Sequence, residues 1–154
     1  MTTTTPRRVA PFDVHSGPPL RFGRDAGLFL LRLAAGVPLF FHGAQKLFGW
    51  FGGGGLSGFA DFLAQLGVPW PSVSAVLAAV TEVGGGALLV VGLGFRGLVP
   101  VVVTMLVAAA TSARHGYDVM RGGAEYPLTL ALLVAALALL GPGAFSLASV
   151  RRAS

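Results

Sequence analysis

Ionisable side chains interrupt otherwise apolar stretches of this sequence, and they are the residues best suited to chemistry. Arg32 and Lys46 lie in one apolar stretch and Glu82 lies in the next. A charged side chain deep in a bilayer is costly, so such groups normally turn toward the protein interior and find a partner. The depths of Arg32 and Glu82 in their segments predict a buried ion pair. Such a pair would either fix helix register or serve as a proton or ligand site.

A second polar cluster is predicted near the outer face of the membrane. Its members are His42, Gln45, Lys46, His115, Glu125 and Tyr126. Imidazole and ammonium groups in this position are suited to hydrogen-bonding the carbonyl oxygens of a quinone headgroup. The structural alternative is that the lysine extends to the interface, the histidines are packing residues, and Tyr126 with Pro127 simply opens a helix. The sequence leaves both interpretations open.

The sequence restricts the cofactors that the chain can hold. Histidines on two facing helices raise the possibility of bis-histidine haem ligation. Haem is disfavoured, because His42 and His115 both lie close to helix ends and no second pair supports them. The chain has no cysteine, which excludes disulfides, thiolate metal sites, iron–sulfur clusters and thiol nucleophiles. We therefore predict no metal site, and any redox chemistry needs a borrowed cofactor such as a quinone.

The elements that position these residues are long apolar segments. The chain is 54% apolar and 11% charged, against about 25% charged residues in soluble domains. A segment of ~23 residues, at ~1.5 Å each, crosses a ~30 Å hydrocarbon core. Four membrane spans are predicted, at about residues 25–48, 73–93, 97–113 and 126–140. The predicted fold class is all-α, a membrane-embedded four-helix bundle.

A shorter helix is predicted between the first two spans, at about residues 57–66. Phe59, Phe62, Leu63 and Leu66 recur there at helical spacing. The segment is too short to cross a bilayer, so we expect an amphipathic helix lying flat in the headgroup region.

The basic residues predict the orientation of the spans. Apart from Arg32, inside the first span, the chain has ten arginines and lysines, and seven of them lie on the side of the termini: Arg7, Arg8, Arg21, Arg24, Arg96, Arg151 and Arg152. The positive-inside rule then places both termini in the cytoplasm and the protein in the cytoplasmic (inner) membrane. Residues 1–24 are predicted to form a disordered basic arm, 25–147 the membrane domain and 148–154 a cytoplasmic tail. The net charge of +5 follows this distribution, so no nucleic-acid partner is expected.

The order of several short motifs carries a family resemblance. Arg32 precedes the run FHGAQKLFG at residues 41–49, and Glu82 with its glycines, His115-Gly116 and Glu125-Tyr126-Pro127 follow. This pattern resembles the DoxX family of small bacterial and archaeal membrane proteins, over about residues 25–147. The resemblance implies a four-helix membrane bundle and, for some relatives, an association with redox systems. It also implies a polar interior lined by Arg32, His42, Gln45, Lys46, Glu82, His115 and Glu125.

Three classes of function follow from these expectations. The leading hypothesis is an integral membrane subunit of a redox-linked complex that contacts a quinone and has no independent enzymatic activity. The second is a non-catalytic scaffold or assembly factor that holds a soluble partner enzyme at the membrane. The third is a small proton-coupled transporter that uses Arg32 and Glu82. All three expect the lipid bilayer, and other subunits or further copies of the chain, as partners.

Overall fold

Residues 18–153 are described by a computed structural model, and within them the chain is helical. The α-helices are α1 (Pro18–Phe48), α2 (Gly55–Gln65), α3 (Pro71–Val91), α4 (Val99–Ser112), α5 (Glu125–Leu140) and α6 (Leu147–Ala153). Short 3-10 turns and glycine-rich loops connect them. No strand occurs in this part of the chain, so the all-α prediction is confirmed.

The largest difference from the predicted elements lies at the start of α1. The helix begins at Pro18, so residues 18–24, which were predicted to belong to a disordered arm, are helical. Proline is tolerated in the first turn of a helix, where its missing N–H needs no partner. Residues 1–17 of the predicted arm lie outside the described residues. The predicted tail from residue 148 also proves to be mostly helical, as α6.

Two helical stretches are long and apolar enough to cross a membrane, namely Phe22–Phe48 and Pro71–Val91. Val99–His115 and Glu125–Leu140 are apolar but shorter. Large apolar side chains such as Leu77, Leu132 and Leu139 are exposed on the outside of the helices. An apolar exterior suits a lipid environment better than water. The number of spans stays a prediction at this point.

Glycines bring α1 and α3 into close contact along their length. A Cβ atom at Gly86 would lie 2.5 Å from the backbone nitrogen of Phe40 and 2.7 Å from the carbonyl oxygen of Gly36. A Cβ atom at Gly43 would lie 2.6 Å from the nitrogen of Val83. Small residues let two helix backbones approach in this way. Glycines on both helices thus form the contact between α1 and α3.

The remaining helices complete a shared apolar core. α4 packs along α5, and α2 packs against α3 and the end of α1. The core consists of Leu28, Ala35, Leu39, Leu89, Leu98, Val101, Met105, Leu130, Ala131, Val134 and Leu137. These residues come from α1, α3, α4 and α5 and from the turn before α4. This arrangement holds the polar residues of α1 and α3 between apolar neighbours.

The predicted ion pair between Arg32 and Glu82 is wrong. Arg32 is 1% exposed, and its guanidinium donates hydrogen bonds to the carbonyl oxygen of Pro142, at 3.0 Å, and to that of Phe145. The antiparallel packing places Arg32 beside Gly92, ten residues or about 15 Å along α3 from Glu82. Backbone carbonyl oxygens are strong hydrogen-bond acceptors. They stabilise this guanidinium without a carboxylate.

Candidate functional site

Lys46 and Glu82 form the ion pair at the centre of the candidate site. The Nζ atom of Lys46 lies 2.6 Å from both carboxylate oxygens of Glu82. The Glu82 side chain is 3% exposed and that of Lys46 is 27% exposed. Helical side chains lean toward the N-terminus of their own helix. Because α1 and α3 are antiparallel here, Lys46 and Glu82 lean toward each other.

An aromatic ring from α2 provides a further contact with the ammonium group. The Nζ atom of Lys46 lies 4.9 Å from the centre of the Phe59 ring. A cation over an aromatic face is stabilised by the electrons of the ring. The short helix between the first two predicted spans therefore contributes to the site, a role that the sequence did not indicate for Phe59.

His42 lies one turn before Lys46 and is oriented by its neighbours. Its Nδ1 atom lies 3.0 Å from Oε1 of Gln45, an oxygen that only accepts hydrogen bonds. In the neutral ring the proton is then on Nδ1, and Nε2 is left as an acceptor. The ring of Tyr126 from α5 packs edge-on against His42, with ring centres 6.0 Å apart. This contact joins α5 to the site.

These side chains border a cavity of about 210 Å³ between α1, α3, α4 and α5, here called the ion-pair cavity. Its polar lining consists of His42, Lys46, Glu82 and Tyr126, and the other lining residues are the apolar Leu39, Met105, Ala108, Pro127 and Leu130. The cavity thus offers hydrogen-bond donors and acceptors within apolar walls. Its size suits a group no larger than a small ring.

A larger groove of about 660 Å³ lies on the other side of the ion pair, between α2, α3 and α4. We call it the α2–α4 groove. Apolar side chains from all three helices line most of it, and polar groups are added by Ser74, Thr104, Thr111, Ser112, His115 and Arg121. Lys46 and Glu82 line both the groove and the ion-pair cavity.

The structure divides the predicted outer cluster into three places. His42, Lys46 and Tyr126 line the ion-pair cavity, with Gln45 bonded to His42. His115 lies in the groove instead. Glu125 accepts a hydrogen bond from the backbone nitrogen of Val119, at 3.1 Å. Its role is therefore to hold the loop before α5.

The sequence interpretation assigned Glu82 to the wrong partner. The signal that would have found the correct partner is the lean of helical side chains toward the N-terminus of their helix, which favours a lysine near the end of α1 over an arginine in its middle.

Among residues 18–153, no group of three or more His, Asp or Glu side chains is placed to hold a metal ion.

Comparison with known sequences identifies the family. The family model DoxX matches residues 27–116, more than half of the chain. The chain belongs to the DoxX family. The resemblance drawn from the motifs is thereby confirmed. The DoxX match contains His42, Lys46 and Glu82 but ends before α5, so Tyr126 joins the site from outside it.

A curated relative supports the same assignment. The chain is 31% identical over 132 residues to the inner membrane protein YphA of Escherichia coli (strain K12). The match covers 80% of this chain and 89% of YphA. No solved structure matches the chain. This DoxX protein is accordingly a helical membrane protein.

Proposed function

We propose that the protein crosses the cytoplasmic membrane four times, through α1, α3, α4 and α5. The two shorter helical stretches, Val99–His115 and Glu125–Leu140, are ~24–26 Å long at ~1.5 Å per residue. They span a ~30 Å core with modest local thinning of the bilayer. The name of YphA supports the inner membrane. The excess of arginine beside the termini supports their cytoplasmic location.

Cysteine labelling tests this topology, because the natural chain contains no cysteine. Tyr117→Cys, at a site that is 64% exposed, is expected to react with a membrane-impermeant maleimide in intact spheroplasts. Ser154→Cys is expected to react only after the membrane is permeabilised, since four crossings place the C-terminus inside. Labelling of both variants from the same side would contradict four spans.

We further propose that the ion-pair cavity binds the ring of a quinone, and that the protein acts as a membrane subunit of a redox-linked complex without independent activity. The observation that carries this proposal is the position of the Lys46–Glu82 pair in the wall of a small, otherwise apolar cavity. Two of the three ammonium protons of Lys46 face Glu82, which leaves one for a ligand. The hydroxyl group of Tyr126 is a second donor. Quinone carbonyl oxygens accept from both.

Quinone binding to the purified protein in lipid nanodiscs tests this proposal. Tyr126→Phe removes one donor and is expected to weaken binding about tenfold, since a hydrogen bond contributes about 1 kcal/mol or somewhat more. Tyr117→Phe is the matched control, because Tyr117 lines neither the ion-pair cavity nor the groove, and it should bind like the natural protein. Absence of quinone binding above the level of empty nanodiscs would refute the proposed function.

A further inference from the structure

The α2–α4 groove has no role in the function proposed above, yet it is about three times as large as the ion-pair cavity. Its volume of about 660 Å³ lies within the range of about 300–1,000 Å³ that is typical of small-molecule sites. The groove is therefore large enough to hold a small molecule.

The groove arises from the way in which α3 and α4 diverge. The two helices meet closely at Gly85 and Val101, where a Cβ atom on the glycine would collide with the valine side chain. Beyond that contact, toward the start of α3, they separate. The side chains of α2 lie over the gap, with Phe59 and Phe62 among its lining. The groove therefore begins beside Glu82 and runs toward the outer ends of the helices.

The lining of the groove is largely apolar and open to the surroundings. Leu77 is 64% exposed, and Val103 and Val107 are each 54% exposed. In a membrane protein these side chains face acyl chains rather than water. The route into the groove is thus from the lipid.

The inner end of the groove is polar. Lys46 and Glu82 line both the groove and the ion-pair cavity, as does Ala108, so the two spaces adjoin at this ion pair. The two 2.6 Å contacts of Lys46 with Glu82 make this junction close to neutral overall. An uncharged hydrogen-bonding head suits it better than an anion, whose charge Glu82 would repel.

We propose that the α2–α4 groove holds the hydrocarbon chain of a lipid-soluble ligand whose uncharged head occupies the ion-pair cavity. The inference rests on the proposed function and specifies its ligand: a long-chain amphiphile taken from the bilayer, rather than a small molecule taken from water. The chain lies among the apolar side chains of α2, α3 and α4, and the head reaches past Lys46 and Glu82.

Two benzoquinones with the same ring test this inference, one with a long polyisoprenoid chain and one with a short chain. Ala78 lines the groove but not the ion-pair cavity. Ala78→Phe is expected to weaken binding of the long-chain quinone about tenfold or more, because it fills the space of the chain. Binding of the short-chain quinone should stay within about twofold, which is under 0.5 kcal/mol.

Two further variants separate groove filling from general damage. Val107→Phe fills the same groove from α4, at a position that is already half exposed, and should reproduce the pattern of Ala78→Phe. Ala110→Phe is an exposed position on α4 that lines neither space, and should leave both quinones unaffected.

The outcomes distinguish the inference from the proposed function on which it rests. Equal weakening of both quinones by the groove variants, or no weakening of either, would overturn the chain site while the ion-pair cavity stands. Failure of the natural protein to bind either quinone would remove the proposed function and the chain site together.

Discussion

Replacement of Lys46 by methionine is expected to lower the free energy of unfolding by about 3 kcal/mol. Methionine keeps much of the apolar volume of the side chain but removes the ammonium group that lies 2.6 Å from both Glu82 oxygens. Breaking a buried ion pair from one side costs roughly 3–5 kcal/mol, because the remaining charge has no partner. The lower end of this energy range applies here, because the Lys46 side chain is 27% exposed while that of Glu82 is 3% exposed.

Unfolding in a mild detergent, followed by circular dichroism, provides the measurement. The double variant Lys46→Met, Glu82→Leu is expected to recover most of the loss, because no unpaired charge then remains. Arg121→Met is a matched control: it breaks an exposed ion pair, with a distance of 3.7 Å between Arg121 and Asp118, and should cost less than about 1 kcal/mol. A Lys46→Met protein as stable as this control would show that the central pair contributes little.

Replacement of Arg32 by methionine is expected to cost about 3 kcal/mol as well. The change leaves the carbonyl oxygens of Pro142 and Phe145 without the donors that they have in the structure, and an unpaired buried polar group costs about 1–3 kcal/mol. Asp25 still holds the same loop through the backbone nitrogen of Ala144, at 3.0 Å. Because the carbonyl groups that lose their donors lie in the loop after α5, the loss is expected to appear as local opening of residues 141–153. Global stability is expected to fall as well.

Hydrogen exchange of residues 141–153 and detergent unfolding measure the two effects of the Arg32 change. Arg32→Lys should recover only part of the loss, because a single ammonium group replaces a planar fork that binds two carbonyl groups. Arg114→Met, at an exposed arginine just after α4 that does not border this loop, should leave the exchange of residues 141–153 unchanged. Unaltered exchange in Arg32→Met would mean that the hydrogen bonds of Arg32 do not hold this loop.

The helices could be predicted closely because long apolar runs and their glycine and proline boundaries are local signals. The predicted second span at 73–93 and the fourth at 126–140 correspond to α3 and α5 within about two residues. The start of α1 was misplaced because proline opposes a helix interior but suits its first turn. A pattern of residue types does not say which of these two positions a proline occupies.

The partners of the charged residues depend on more than local signals, since the lean of the side chains favours Lys46 as the partner of Glu82 only at a given relative height of α1 and α3. Pairing depends on the relative height of two helices, and the glycine contacts at Gly36, Gly43 and Gly86 set that height in the structure. The partners of Arg32 were not recognisable at all, because every residue type has a backbone carbonyl group. His115 was grouped with His42 by depth alone, and the structure places it in the groove.

The attachment of Arg32 to the loop after α5 has a consequence for the order in which the protein is made. Pro142 and Phe145 follow Arg32 by 110 and 113 residues, so the guanidinium has neither acceptor until the loop after α5 has been synthesised. The nascent first helix must tolerate this cation without those partners over that interval. Synthesis of the loop after α5 is thus the step that gives Arg32 its acceptors.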